Sequence, residues 1–177
     1  CSPGWGIGFF TSPEKVVHHG TVSEDGFPGW AGAIHLSPKH GLLIGSDEGK
    51  GTDYLYAYKD ESTARYSIGD RSVSAIADVG AVVYIGTNRG LLQLRKGEIE
   101  VVNAGEGLPC SVITCLSIDS QRTLWIGTEG GGIGRFDGNV LQLLTIPGGL
   151  LNNVVRDIAI EDDGTAWMAT EGGLLRY

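Results

Sequence analysis

What most constrains this chain is a phrase it writes four times. LLIGSDEG fills residues 42–49, VYIGTNRG 83–90, LWIGTEGG 124–131 and AWMATEGG 166–173. Taking Gly45, Gly86, Gly127 and Ala169 as anchors, the separations are 41, 41 and 42 residues, and one more step back from Gly45 reaches Gly4 in GWGIGFF, a degenerate fifth copy. An echo at a fixed period in this range is the mark of a repeat architecture, in which each period is one supersecondary unit.

The grammar inside each period identifies the unit. Ahead of each anchor lie alternating apolar residues: Ile34 and Leu36, Ala75 and Ala77, Leu116 and Ile118, Ile158 and Ile160. Such alternation belongs to strands, whose successive side chains leave on opposite faces. A turn follows, then the anchor, rich in the Trp, Tyr, Ile, Val and Thr that pleated buried surfaces favour. A third strand (YLYAY, LLQLR, GIGRF, LLRY) and a fourth (TARYSI, EIEVVN, VLQLLTI) complete the period. No stretch sustains a 3.6-residue apolar period. Four antiparallel strands per forty-odd residues spell a propeller blade, because a single small sheet cannot hide both faces and a ring of sheets hides each against a neighbour. The expected fold is therefore all-β, a β-propeller of about four four-stranded blades. The last blade ends at its third strand, LLRY, so residues 16–22 are expected to supply its outer strand and close the ring. That divides the chain into a leader or docking strand over 1–10 and a propeller over 11–177.

The segment DSQRTLWIGTEGGGIGRFDGNVLQLLTIPGGLLNNVVRDIAIEDDGTAWMATEGGLLRY resembles tandem repeats of the two-component regulator propeller family. That family's motif has an Asp-bearing turn, a Leu-Trp-Ile-Gly-Thr strand and a Gly-Gly-Leu-x-Arg-Phe strand, with a Gly-Leu-Pro element before the next repeat. The likeness is close over 73–177, looser over 31–60 and poor over 1–30. It implies the propeller fold, and it implies the extracytoplasmic sensory rings of hybrid histidine kinases, with lyases and secreted proteins as further members. The 177 residues hold fewer repeats than those large rings.

Charge narrows the partners. A net charge of -8 and a pI near 4.9 set the chain against nucleic-acid backbones and anionic lipid surfaces, which would be repelled over a Debye length of ~8 Å. No apolar run reaches the ~18 residues a spanning helix needs, so membrane contact is expected only through a lipid. Cys1, followed by Ser2, Pro3 and Gly4, is similar to the mature N-terminus of a bacterial lipoprotein, with Cys1 as lipid attachment; the other reading is an excerpt edge, since the sole methionine is Met168. Cys110 and Cys115 stand five apart, on opposite faces of a strand that begins early, which argues against a disulfide. Neither the cysteines nor the scattered histidines have metal-ligand spacing. His18 and His19 diverge, His35 reads as packing and His40 as a turn residue. EDDG at 161–164 reads as a strand-connecting turn, and SDEGKGTD at 46–53 as a solvated acidic loop carrying Asp47, Glu48 and Asp53.

Gly45, Gly86, Trp125, Gly127 and Trp167 fall in the repeat columns and are expected to be structural anchors. Trp5, Phe9, Phe10 and Trp30 fall outside them and form a candidate interaction surface. No catalytic residue, metal or cofactor is expected. Three functions stand: an extracytoplasmic scaffold or interaction propeller, self-assembling or bound to another envelope protein; a sensory ligand-binding propeller; and a propeller lyase or lactonase, which would need ligands or acid–base groups converging at the axis.

Overall fold

The computed structural model describes residues 7–12, 15–19, 31–46, 51–60, 62–102, 110–139, 141–145 and 152–177, the first two spans by backbone alone. Every regular element among them is a strand. A hairpin of β1 (Ile7–Ser12) and β2 (Lys15–His19) comes first. A four-stranded sheet follows, of β3 (Ala31–Ser37), β4 (Gly41–Ser46), β5 (Asp53–Lys59) and β6 (Ser62–Gly69). The second comprises β7 (Val73–Val79), β8 (Val82–Thr87), β9 (Gly90–Arg95) and β10 (Glu98–Val101). β11 (Ile113–Ile118), β12 (Leu124–Thr128), β13 (Ile133–Phe136) and β14 (Leu141–Leu144) make the third. Last is a three-stranded sheet of β15 (Val155–Ile160), β16 (Ala166–Thr170) and β17 (Gly173–Arg176). The chain is all-β, and these sheets are propeller blades: sequential antiparallel strands, one sheet per period.

Two compact units divide the chain, 1–73 and 74–177. In the second, sheet stacks on sheet. Ala77, Tyr84 and Leu91 share a core with Ile113, Leu124, Ile126 and Phe136 of the third sheet. Cys115, Trp125 and Ile133, on the other side of that third sheet, share a core with Val155, Ile158, Ala166 and Met168 of the last. The third sheet thus has one side for its predecessor and one for its successor, which is why its anchor strand β12 is buried on both faces. In the first unit Ile44 and Tyr56 form a smaller core with Leu42, Tyr54 and Tyr58.

The same chemistry recurs at each anchor turn. The Thr that ends the anchor strand donates its hydroxyl to the carbonyl of the glycine opening the next strand or its approach: Thr87 to Gly90 at 2.7 Å, Thr128 to Gly132 at 2.7 Å, Thr170 to Gly173 at 2.8 Å. Those glycines have φ of 103°, 85° and 123°, a region that side chains rarely enter. The repeated Thr-to-Gly spacing is therefore a turn specification.

Two sequence expectations differ from the described strands. Residues 16–22 were expected to supply the outer strand of the last sheet; among the described residues that sheet has three strands, and Lys15–His19 pairs with Ile7–Ser12, in a register from Ser12↔Lys15 to Ile7↔His19. Pairing across two intervening residues closes a far smaller loop than pairing with β17 would, and loop-closure entropy favours it. In β7 the neighbours Ile76 and Ala77 are both buried, so alternation from Ala75 and Ala77 captured one of its two packed faces.

Candidate functional site

The anchor glycines form a seam where one sheet meets the start of the next. A Cβ on Gly86 would sit 2.6 Å from Ile113 Cγ2, and one on Gly127 would strike Cys115 Sγ and approach Val155 Cγ1 to 3.0 Å. Within the first unit, a Cβ on Gly45 would collide with Val73. Hydroxyls bolt the seam. Ser74 Oγ donates to Ile113 O at 2.6 Å and lies 3.1 Å from Gly86 O, while Thr114 Oγ1 donates to Val155 O at 2.6 Å. Main-chain bonds repeat the pattern, with Gly90 N donating to Ser111 O and Gly132 N to Asn153 O. Cys115 is the small buried residue that the sequence suggested, and burial, only partly offset by the Thr114 hydroxyl, pushes its thiol up to about 11. Cys110 and Cys115 are both free thiols.

At the other end of the anchor strands lies a three-part clasp. Trp125 Nε1 donates to Asp119 Oδ2 at 3.0 Å, and the Arg135 guanidinium lies 4.5 Å over the indole and 3.8 Å from the same carboxylate. Asp119 also accepts from the amides of Gln121 and Thr123, so one carboxylate fixes both turn and indole. Burial pulls its pKa up, but those hydrogen bonds, Trp125's first, outweigh it and hold the carboxyl below its ordinary value. The last sheet repeats the device: Trp167 Nε1 donates to Glu161 Oε1 at 2.9 Å and Arg176 lies 5.6 Å over the ring. Asp163 accepts from Thr165 N, which confirms EDDG as a turn. Sequence reasoning had the tryptophans as anchors and missed their partners. The signal was present, an acid six residues before each Trp and an Arg on the facing strand.

A third repeated contact joins consecutive sheets. Tyr84 meets Phe136 edge-on with centroids 6.1 Å apart, and Trp125 meets Tyr177 at 5.8 Å. In both pairs the second ring comes 52 residues after the first.

Gly45, Gly86, Gly127 and Trp125 are thus placed at sheet–sheet contacts, while Trp167 is held within the last sheet by Glu161 and Arg176. Phe9 and Phe10 lie in β1, paired with Val17 and Val16. Cys1, Trp5 and Trp30 lie outside the described residues, as do Asp47 and Glu48. Asp53 departs from the solvated loop expected of it: it is buried and accepts from Ser46 Oγ at 3.1 Å, while Tyr54 N donates to the same hydroxyl at 2.8 Å. Ser46 here does the work of Thr87 and Thr128 across a longer loop.

Two open clefts of about 310 Å³ each lie on single sheets. One is walled by Lys39, His40, Lys59, Asp60, Ser62 and Tyr66. The other is walled by Gln121, Thr123, Arg135, Asp137 and Gln142, and its cation already faces Trp125 and Asp119. Among the described residues no group of three or more His, Cys, Asp or Glu converges as a metal site. No helix of the described residues is long and apolar enough to cross a membrane.

Residues 107–130 match the family model for the two component regulator propeller. No curated protein sequence matches the chain. Among solved structures, the chain is similar to the extracellular domain of BT4673 from B. thetaiotaomicron, assigned to a one component system: TM-score 0.72 and 20% identity over 92% of this chain and 23% of that one. It is also similar to PorZ, a surface component of the type-IX secretion system of Porphyromonas gingivalis, with TM-score 0.66 and 14% identity over 94% of this chain and 28% of that one. A third is the computationally designed Ika8 protein, with TM-score 0.61 and 19% identity over 92% of this chain and 51% of that one. The chain spans about a quarter of the two natural proteins.

Proposed function

We propose, from a chain that carries a two-component-regulator propeller repeat, that it works as a non-catalytic, extracytoplasmic interaction module whose partners are proteins. The observation that carries this reading is the employment of its reactive side chains. Asp119 and Glu161 hold indoles, Ser74 and Thr114 hold the next sheet, Thr87, Thr128 and Thr170 hold turns, and Arg135 and Arg176 cover tryptophans. Groups so committed leave surface shape and apolar faces as the chain's means of recognition. The likeness to an extracellular domain and to a surface component supports an extracytoplasmic site.

Lipid attachment at Cys1 belongs to the same proposal. Expression of the complete gene with metabolic incorporation of an alkyne fatty acid tests it. The proposal expects the protein in the envelope fraction, cleavable by external protease, and labelled in a way that Cys1→Ser abolishes. Recovery in the cytoplasm would end the compartment reading, and an unlabelled envelope protein would end the anchor alone.

A second reading, a sensory ligand-binding propeller, is favoured by the regulator-type repeat at 107–130 and by the polar cleft beside it. A ligand screen read by thermal shift separates the two, because a sensory site predicts a melting shift that Gln142→Ala and Asp137→Ala remove.

A further inference from the structure

We infer that the cleft of the first sheet binds a small organic acid, its carboxylate met by Lys39 and Lys59 and its apolar body resting on Ala57, Ala64 and Tyr66. This goes beyond both readings above and depends on neither. The cleft lies within the first unit. It is also the same place in the repeat as the cleft of the third sheet. Leu43 and Trp125 each stand two residues before an anchor glycine, and register sets Ala57 opposite Leu43 as it sets Arg135 opposite Trp125. On the next strand Ala64 is opposite Ala57 as Gln142 is opposite Arg135. Lys59 follows Ala57 by two residues as Asp137 follows Arg135, and Lys39 precedes Leu43 by four as Gln121 precedes Trp125. Lys39, Ala57, Lys59 and Ala64 line the one cleft, and their four counterparts line the other.

The chemistry at that place is changed. In the third sheet Asp119, Trp125 and Arg135 form the clasp, so acid, indole and cation satisfy one another. In the first sheet Ser37, Leu43 and Ala57 hold those three positions, and none of them carries charge. The second sheet occupies the place by pairing Gln93 with Glu100 at 2.8 Å. The first offers two methyl groups there, on buried Ala57 and exposed Ala64, with lysines on the rim. Two lysines face one acid, Asp60, in a chain whose net charge is -8. Cations gathered against an acidic background draw an anion, and the methyl and phenol surfaces beside them suit one with an apolar part. The walls are set in advance. Ser37 Oγ accepts from His40 N at 3.0 Å, and Lys59 Nζ donates to Lys39 O at 2.9 Å, which ties the two turns together. That bond uses one of three ammonium hydrogens and leaves two for a carboxylate.

Benzoate is the probe, titrated into the isotope-labelled 177-residue chain and followed by amide shifts in heteronuclear NMR spectra. Saturable shifts are expected around Lys39, Lys59 and Ala64. The double variant Lys39→Gln/Lys59→Gln should weaken binding by about tenfold or more. Ala64→Gln gives the first sheet the side chain of Gln142 and should weaken it as well, whereas Ala64→Ser keeps the space and should not. All three positions are exposed, so these variants should fold, which the dispersion of the same spectra checks. The absence of saturable shifts would overturn the proposal, as would binding that survives both Gln variants. Equal binding of benzyl alcohol, which has the ring without the charge, would overturn the role of the lysines. Inorganic phosphate binding as tightly as benzoate would overturn the assignment to an organic acid. The envelope and lipid measurements do not touch this cleft, so the functional reading and this site fail separately.

Discussion

The third and last sheets answer the same sequence differently. LWIGT and AWMAT place Trp125 and Trp167 in one register, each bonded to an acid six residues earlier and covered by an Arg from the facing strand. Yet Trp125 is 2% exposed, and Trp167 is only half-buried. The clasp is local and forms wherever its three residues occur. Burial is not local, because Trp125 gains it from Tyr177 and the rest of the next sheet. A repeat protein's stability splits along this line, into what each period makes alone and what neighbours make together.

The sharpest way to break the comparison is at the seam. Gly127→Leu forces a side chain into Cys115 and Val155 and should cost about 3 kcal/mol, whereas Ala169→Leu at the same register of the last sheet should cost under about 1 kcal/mol. Urea unfolding of the two variants measures the difference, and equal losses would erase the distinction drawn here. Next is the clasp. Trp125→Phe leaves Asp119, 9% exposed at its side chain, without its indole donor and should cost about 2 kcal/mol. Trp167→Phe leaves an exposed Glu161 that water can serve and should cost about 0.5 kcal/mol.

Acidification sharpens the same contrast by a smaller step. The Asp119 pKa is lower in the folded chain than in the unfolded one, so the stability it contributes is in place above the ordinary carboxyl pKa of 3.8 and is lost as pH falls below that and through the folded value. Asp119→Asn should flatten this acid limb in a pH series of melting temperatures. Asp163 shifts the same way through hydrogen bonds from Thr165 but is exposed, and Asp163→Asn should leave the limb close to wild type. The mildest test alters no residue. At neutral pH a thiol reagent should modify Cys110 readily and spare Cys115, whose burial keeps it protonated, until denaturant is added; mass spectrometry reads the sites.

The period, the strand order and the anchor columns were legible because each rests on local rules, namely alternation, turn chemistry and a fixed repeat length. The glycine-bearing turns after the anchor strands were legible as well, whereas the contacts of the anchor glycines with Ile113 and Val155 were not. What escaped was whatever depends on coverage. Alternation marks Ile34 and Leu36 as a face, but only coverage decides which of its residues are dry: Ile44 opposite Ile34 is buried, while Ile34 and Leu36 themselves are exposed. Asp53 looked solvated from its acidic, glycine-rich context, and its partner Ser46 was hidden behind an inserted loop. The pairing of Lys15–His19 with Ile7–Ser12 escaped for a related reason: a strand near the end of a repeat array has several possible partners, and sequence does not rank them. The acid before each Trp was visible and unread, since an Asp in a turn already has a sufficient backbone explanation.

The account stands on sheets stacked in a fixed register, and a double-mutant cycle on the Trp125–Tyr177 pair probes that most directly, with Trp125→Leu, Tyr177→Leu and the double variant followed by chemical unfolding. An edge-on pair at 5.8 Å predicts a coupling of about 0.5–1.5 kcal/mol, matched by the Tyr84–Phe136 pair one sheet earlier. Additive losses at both pairs would mean that consecutive sheets do not meet in this register.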